Sequence, residues 1–203
     1  KFKFVENYGM NLIEKVQLLL GDNVISEYDS DYLYLAEKLF GDYQDGYKKM
    51  IGNDDNTYTE FNGSTIYLPI WWMFEKIPFP LLSSINTSLG FRVKLRNVED
   101  ILITSSSNVK YTVNKNLKMN LLANFYYLSH EERRKFAENR HEYLIEQVNR
   151  VIVPQPNFNL NVNNLLIIPL ELSNPTKDII FFYKTKSNIS NKLWNRYGVK
   201  IGT

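Results

Sequence analysis

The chain has 203 residues, 44% of them hydrophobic and 14% aromatic, which suits a globular protein with one large core or two small ones and exceeds what a disordered chain carries. Its 24 basic and 22 acidic residues leave a net charge of +2 and form no basic tract, so neither a global field nor a local patch argues for direct nucleic-acid contact. No cysteine is present, which removes disulfides, thiolate metal sites and cysteine nucleophiles, and no apolar run approaches the roughly 20 residues that span a bilayer. No signal peptide opens the chain, and Lys1 stands without an initiator methionine, which fits an internal piece of a longer product.

Taken in order, Met10 to Tyr28 carries two apolar runs on either side of Gly21-Asp22-Asn23, the pattern of a β-hairpin, although Leu12, Val16 and Leu19 or Leu20 also fit a helical period. Asp29 to Phe40 predicts a short helix with Ser30 or Asp31 as cap, Tyr32, Leu35, Ala36 and Leu39 on its inner face, and Gly41 as stop. Asp42 to Ser64, rich in Asn, Asp, Gly, Tyr and Thr, reads as a long surface excursion. Thr65 to Arg96 then supplies two strand-like runs around Pro78 and Pro80. In the first, Ile66, Leu68 and Ile70 precede Trp71, Trp72, Met73 and Phe74; in the second, Phe91, Val93 and Leu95 alternate with Arg92, Lys94 and Arg96. The second is a half-buried strand with one apolar and one cationic face.

Further strands are expected around Ile101–Ile103, at Leu121–Leu128, Leu165–Leu172 and Asp178–Tyr183, while Tyr111–Lys118 alternates only weakly. Ser129 with Glu132 three residues on forms a capping box, so a helix starts there and ends near Asn139. His141–Val153 fits strand or continued helix equally well. A breaker-rich loop follows at Pro154 and Pro156, and the last twenty residues are polar and weakly patterned. Many short strands with few helices predict an all-β chain, an antiparallel sandwich or jelly roll with short helices.

Residues for chemistry are scarce. His130 and His141 have no third ligand at a metal-binding spacing, and they lack the close pairing that jelly-roll iron enzymes use. Asp22, Asp29, Asp31, Asp54 and Asp55 do not form the alternating series of a calcium loop. Phosphate-binding glycine loops are absent, and a serine nucleophile lacks a histidine partner. Neither an enzyme nor a cofactor site is therefore expected. Tyr67, Trp71, Trp72 and Phe74 could stack on a sugar, the basis of an alternative reading as a carbohydrate-binding jelly-roll module, but neighbouring strand positions face opposite ways and such rings more often fill a core. Asn62, Asn86 and Asn188 each open a triplet of the N-glycosylation pattern; in so asparagine-rich a chain the expectation is that they are bare.

The segments YGMNLIEKVQLLLGDNVISEY, GYKKMIGN, IYLPIWWMFEKIPFPLL, NPTKDIIF (Asn174 to Phe181) and above all YYLSHEERRKFAENRHEYLIEQV, Tyr126 to Val148, occur together and in order. In these the chain resembles the major capsid protein of nucleocytoplasmic large DNA viruses. The resemblance implies a tandem double jelly roll, three copies of which form a pseudo-hexagonal capsomer of an icosahedral shell. It implies residues 1–140 as a first jelly roll lacking its earliest strands, with a linker helix at 129–140, and residues 141–203 as the start of a second; it favours strand for His141–Val153. Expected partners are copies of the same chain as a homotrimer, neighbouring capsomers and minor capsid proteins, in a virion assembled in the host cytoplasm. Arg92, Lys94 and Arg96 are expected to face solvent or a neighbouring subunit.

Overall fold

The computed structural model describes residues 1–41, 45–53, 56–61, 63–70, 79, 81–84, 87–104, 112, 117–142, 144–153, 167–170 and 174–197. Its centre is a hairpin. Strands β2 (Ile13–Leu20) and β3 (Asn23–Asp29) pair antiparallel about Gly21, whose φ of 62° suits glycine, and β4 (Leu89–Leu95) joins the other edge of β2 to give the order β3-β2-β4. Register sets the faces. Val16 stands between Tyr28 and Val93, and Leu18 between Ser26 and Phe91, so Val16 and Leu18 turn their side chains to the same side. The hairpin expectation holds: Val16, Leu19 and Leu20, which also fit a helical period, lie in β2, and the short helix α1 (Tyr8–Leu12) ends where β2 begins.

Helix α2 (Ser30–Phe40) grows directly out of β3. Asp29, not Ser30 or Asp31, caps it, accepting the Tyr32 amide at 2.7 Å. Ser30, Leu33, Tyr34, Ala36 and Glu37 are buried, and Tyr32 and Leu35 pack against the core half-buried; of the face expected, Leu39 alone is exposed. Met10, Ile13, Val16, Tyr28, Leu33, Tyr34 and Ile51 form the main core, flanked by Leu68, Ile70, Val93, Leu95, Val148 and Tyr197. A second cluster of Val5, Tyr8 and Ile101 sits beside it, under β1 (Phe2–Phe4), which pairs antiparallel with β5 (Leu102–Thr104) after the helical turn α4 (Val98–Ile101).

The excursion after Phe40 is not all surface. It contains helix α3 (Asp45–Met50), and Ile51 is fully buried, its carbonyl accepting the Gly9 amide at 3.0 Å. At Gly52, φ is 79° and an added Cβ would meet the Tyr8 ring at 2.7 Å, so both backbone and space require glycine. Residues 65–70, expected as a strand, form no ladder; Leu68 and Ile70 pack on the core and the Tyr67 amide donates to the Met50 carbonyl at 3.0 Å.

Helix α5 (His130–Glu138) carries the expected capping box, with the Glu132 amide donating to Ser129 Oγ at 3.4 Å and the Ser129 amide to Glu132 Oε2 at 2.9 Å. The Ser129 amide, and after it the Ser129 hydroxyl donating to Glu132 Oε2 at 2.8 Å, hold the Glu132 carboxyl below the usual range. A carboxyl lowered by folding stabilises the helix above its ordinary titration range and ceases to do so as pH falls through the lowered value. Ser129→Ala is expected to raise the Glu132 midpoint towards the ordinary range and to fray α5, both readable by NMR titration.

Other strand expectations do not survive as ladders. Leu121–Leu128 is neither helix nor strand and is exposed over most of its length. The described residues of His141–Val153 and all of Asp178–Tyr183 are likewise irregular. Alternation gave these runs their strand signal, but a strand exists only where a neighbour accepts its backbone bonds, and no described segment does so here. Trp71–Pro78, Pro80, most of Tyr111–Asn116, Pro154–Leu166 and Glu171–Ser173 lie outside the described residues. The described architecture is two antiparallel sheets with short helices.

Candidate assembly surface

The side of the β3-β2-β4 sheet opposite Val16 is polar. Its cross-strand rows are Glu27–Gln17–Arg92 and Asp29–Lys15–Lys94. Lys15 Nζ lies 2.6 Å from Glu27, Lys94 Nζ 2.7 Å from Glu14, and Arg92 donates to Gln17 Oε1 at 3.3 Å. The Glu27 carboxyl is held below its usual range chiefly by the Lys15 hydrogen bond, and that of Glu14 chiefly by Lys94. Exposed pairs of this kind organise a surface more than they hold a fold.

The three cations singled out on this strand part company. Arg92 and Lys94 are exposed on the polar face. Arg96 turns inward, donating to the Asn11 carbonyl at 3.0 Å and to Ser30 Oγ at 2.9 Å, with its guanidinium 4.3 Å above the Trp194 ring. Asn62 and Asn86 lie outside the described residues. Asn188, in helix α6 (Lys186–Ser190), donates its side-chain amide to the Arg196 carbonyl at 3.1 Å.

A second surface is apolar. Leu122 is 80% exposed, Tyr127 96% and Leu144 93%, and Leu121, Phe125, Tyr126 and Ile152 are exposed with them. Side chains of this size left in water in one stretch mark a surface made for contact. His141, at the exit of α5, is hydrogen-bonded to the Phe136 carbonyl at 2.7 Å and stacks on that ring, and among the described residues no group of three or more His, Asp or Glu could hold a metal. A cavity of about 330 Å³ between Tyr8, Lys49, Asn53 and Ser64 offers one amine and a hydroxyl pair at 2.7 Å, with no carboxylate among its lining residues. Of the aromatic run considered for sugar stacking, only Tyr67 is described.

A polar hub went unseen in the sequence. Asp31 accepts from Lys184 (side chains both 13% exposed), from the Tyr197 hydroxyl at 3.0 Å and from Arg150 at 3.2 Å, while Arg150 also pairs with Asp29. Burial pushes the Tyr197 phenol up and pulls the Lys184 ammonium down, the Asp31 carboxylate opposing the latter. Beside the hub, Asn195 Oδ1 accepts from Asn11 at 2.5 Å and from Asn7 at 3.5 Å, all three asparagines being buried. The one hint in the sequence is the pair Trp194 and Tyr197, two large rings three apart in a polar tail.

No protein-family model matches the chain. Curated relatives do. The chain is 28% identical to capsid protein 1 of Acanthamoeba polyphaga mimivirus over 168 residues, covering 73% of this chain and 28% of that protein. It is 24% identical to the major capsid protein of Pyramimonas orientalis virus over 190 residues (89% of this chain, 44% of that protein) and 23% identical to that of Simulium iridescent virus over 231 residues (96% and 47%). The chain thus spans less than half the length of these relatives. The likeness to capsid proteins of large DNA viruses, read first from the Tyr126–Val148 segment, is borne out.

Proposed function

With that likeness as premise, we propose that the chain forms part of a structural shell subunit of a large DNA virus, a protein that associates with its own kind and transforms no substrate. The observation that carries the proposal is that capsid proteins of different viruses match most of the chain. The physical pattern agrees: a sheet polar on one side, a run of exposed apolar residues at Leu121–Tyr127, and a capped helix directly after it suit lateral association.

In finer detail the reading is of jelly-roll sandwiches in tandem, with three copies to a pseudo-hexagonal capsomer, minor capsid proteins as further partners, and a virion put together in the host cytoplasm. The bonds from Gln147 to Ile25, from Arg150 to Asp29 and from Lys184 and Tyr197 to Asp31 favour a revised division, in which these four residues belong with the first unit rather than with a second that opens at 141. Arg92 and Lys94 are the exposed cations offered to a neighbour. Sedimentation of the complete gene product tests the role. Large particles are expected from the unaltered protein, and Arg92→Glu with Lys94→Glu is expected to move assembly to higher protein concentration while the fold persists. Unchanged assembly would remove these two residues from the contact, and absence of particles from the unaltered protein counts against the role itself.

A further inference from the structure

We infer that residues 184–197 are a strap that closes over the N-terminal unit, latched at the Asp31 carboxylate and able to open while the sheet beneath stays folded. This inference stands apart from the capsid reading and needs no subunit contact.

Five residues anchor the strap, on α2, on α4 with β5, and at α1. At its start, Lys184 reaches Asp31 on α2. Lys192 Nζ then donates to the Leu102 carbonyl at 2.8 Å and also to that of Glu99, across α4 and β5. Trp194 Nε1 donates to the Asp100 carbonyl at 2.8 Å while its ring lies under the Arg96 guanidinium. Asn195 meets Asn7 and Asn11 at α1, and Tyr197 returns to Asp31 with its ring stacked on Tyr34, the centroids 5.9 Å apart.

The chemistry of these anchorages makes the strap separable. Nearly all are hydrogen bonds or ion pairs whose groups water can satisfy on release, and only the rings of Trp194 and Tyr197 bring sizeable apolar area. The β3-β2-β4 sheet is held differently, by ladders and by Val16 and Leu18 at 0% exposure. The approach to the strap, residues 174–183, has no helix or strand and exposes Ile179 and Phe181, so it can swing without breaking a ladder.

Asp31 is the group to alter, because it gathers Lys184, Arg150 and Tyr197, with Asp29 bonded to the same Arg150 and Arg96 close by over Trp194. Removing its charge leaves a buried lysine without its counter-charge. The test is limited trypsin digestion and hydrogen exchange on the complete gene product. Asp31→Asn is expected to speed cleavage at Lys186, Lys192 and Arg196 by about tenfold or more, and to expose the amides of residues 99–104, while those of β2, β3 and β4 keep their protection. Because Asp31 also sits in the first turn of α2, Lys184→Met provides the same release from the strap's side, and the double variant should open no further than the stronger single one. Unaltered protection of 184–197 in both single variants overturns the inference. So does loss of protection that spreads through β2, β3 and β4 together with the strap, since the two would then form one cooperative unit.

Discussion

Val16→Asp is expected to abolish the cooperative thermal transition of the β3-β2-β4 unit, whereas Gln17→Asp, one residue further along the same strand, is expected to shift its melting temperature by a few degrees at most. Val16 has no exposed surface and is packed between Tyr28 and Val93. Replacement there forfeits about 1.5–3 kcal/mol of apolar burial. It also places a carboxyl with no partner in an apolar core, at a further several kcal/mol even when the group takes up a proton to avoid ionising. Against a total stability of about 5–15 kcal/mol for a domain, the sum leaves little or nothing folded. Gln17 is on the polar side, hydrogen-bonded to Glu27 and Arg92, where a new carboxylate has Arg92 to offset its repulsion from Glu27. Circular dichroism melts of both variants measure the contrast. Equal tolerance of the two would mean that the faces of β2 have been assigned the wrong way round.

The second large effect concerns assembly. Leu122→Ser, Phe125→Ser and Tyr127→Ser in one complete gene product are expected to leave the melting temperature almost unchanged and to eliminate particles at concentrations where the unaltered protein forms them. All three side chains are more than half exposed in the isolated chain, so truncating them removes little internal packing. Burying each against a neighbour is worth about 1.5–3 kcal/mol, or roughly three to six powers of ten in association for the three together. Negative-stain imaging with a parallel melt separates the outcomes. A large drop in melting temperature would show that the segment is covered within the same polypeptide and is not a subunit contact.

How far the sequence could be read depended on whether a signal was local. The Ser129–Glu132 capping box and the Gly21 turn are satisfied within a few residues, and each appears where it was expected. The alternation of Val93 and Leu95 with cations was also legible, because a half-buried strand writes its two faces directly into a period of two, but Phe91, expected on the same apolar face, is exposed. Arg96 shows the limit of that reading: it continues the alternation, yet lies one residue beyond β4 and is drawn inward by Ser30 and Trp194. Ile51 was hidden in a polar stretch because its burial depends on backbone contacts from Tyr8 and Gly9, far away in sequence. The hub at Asp31 was hidden for the same reason, since its partners lie more than a hundred residues downstream. The strand-like runs at Leu121–Leu128 and Asp178–Tyr183 were misread as paired elements because composition reports an affinity for sheet and not the presence of a neighbour to complete one.

The shell-forming role is tested most directly by the molar mass of the complete gene product, measured by light scattering on a sizing column. Below the concentration at which particles form, a mass of three chains that does not change on further dilution is the expected result. A monomer at every concentration would contradict the role, and would leave the exposed side chains of Leu122, Tyr127 and Leu144 without the neighbours proposed to cover them.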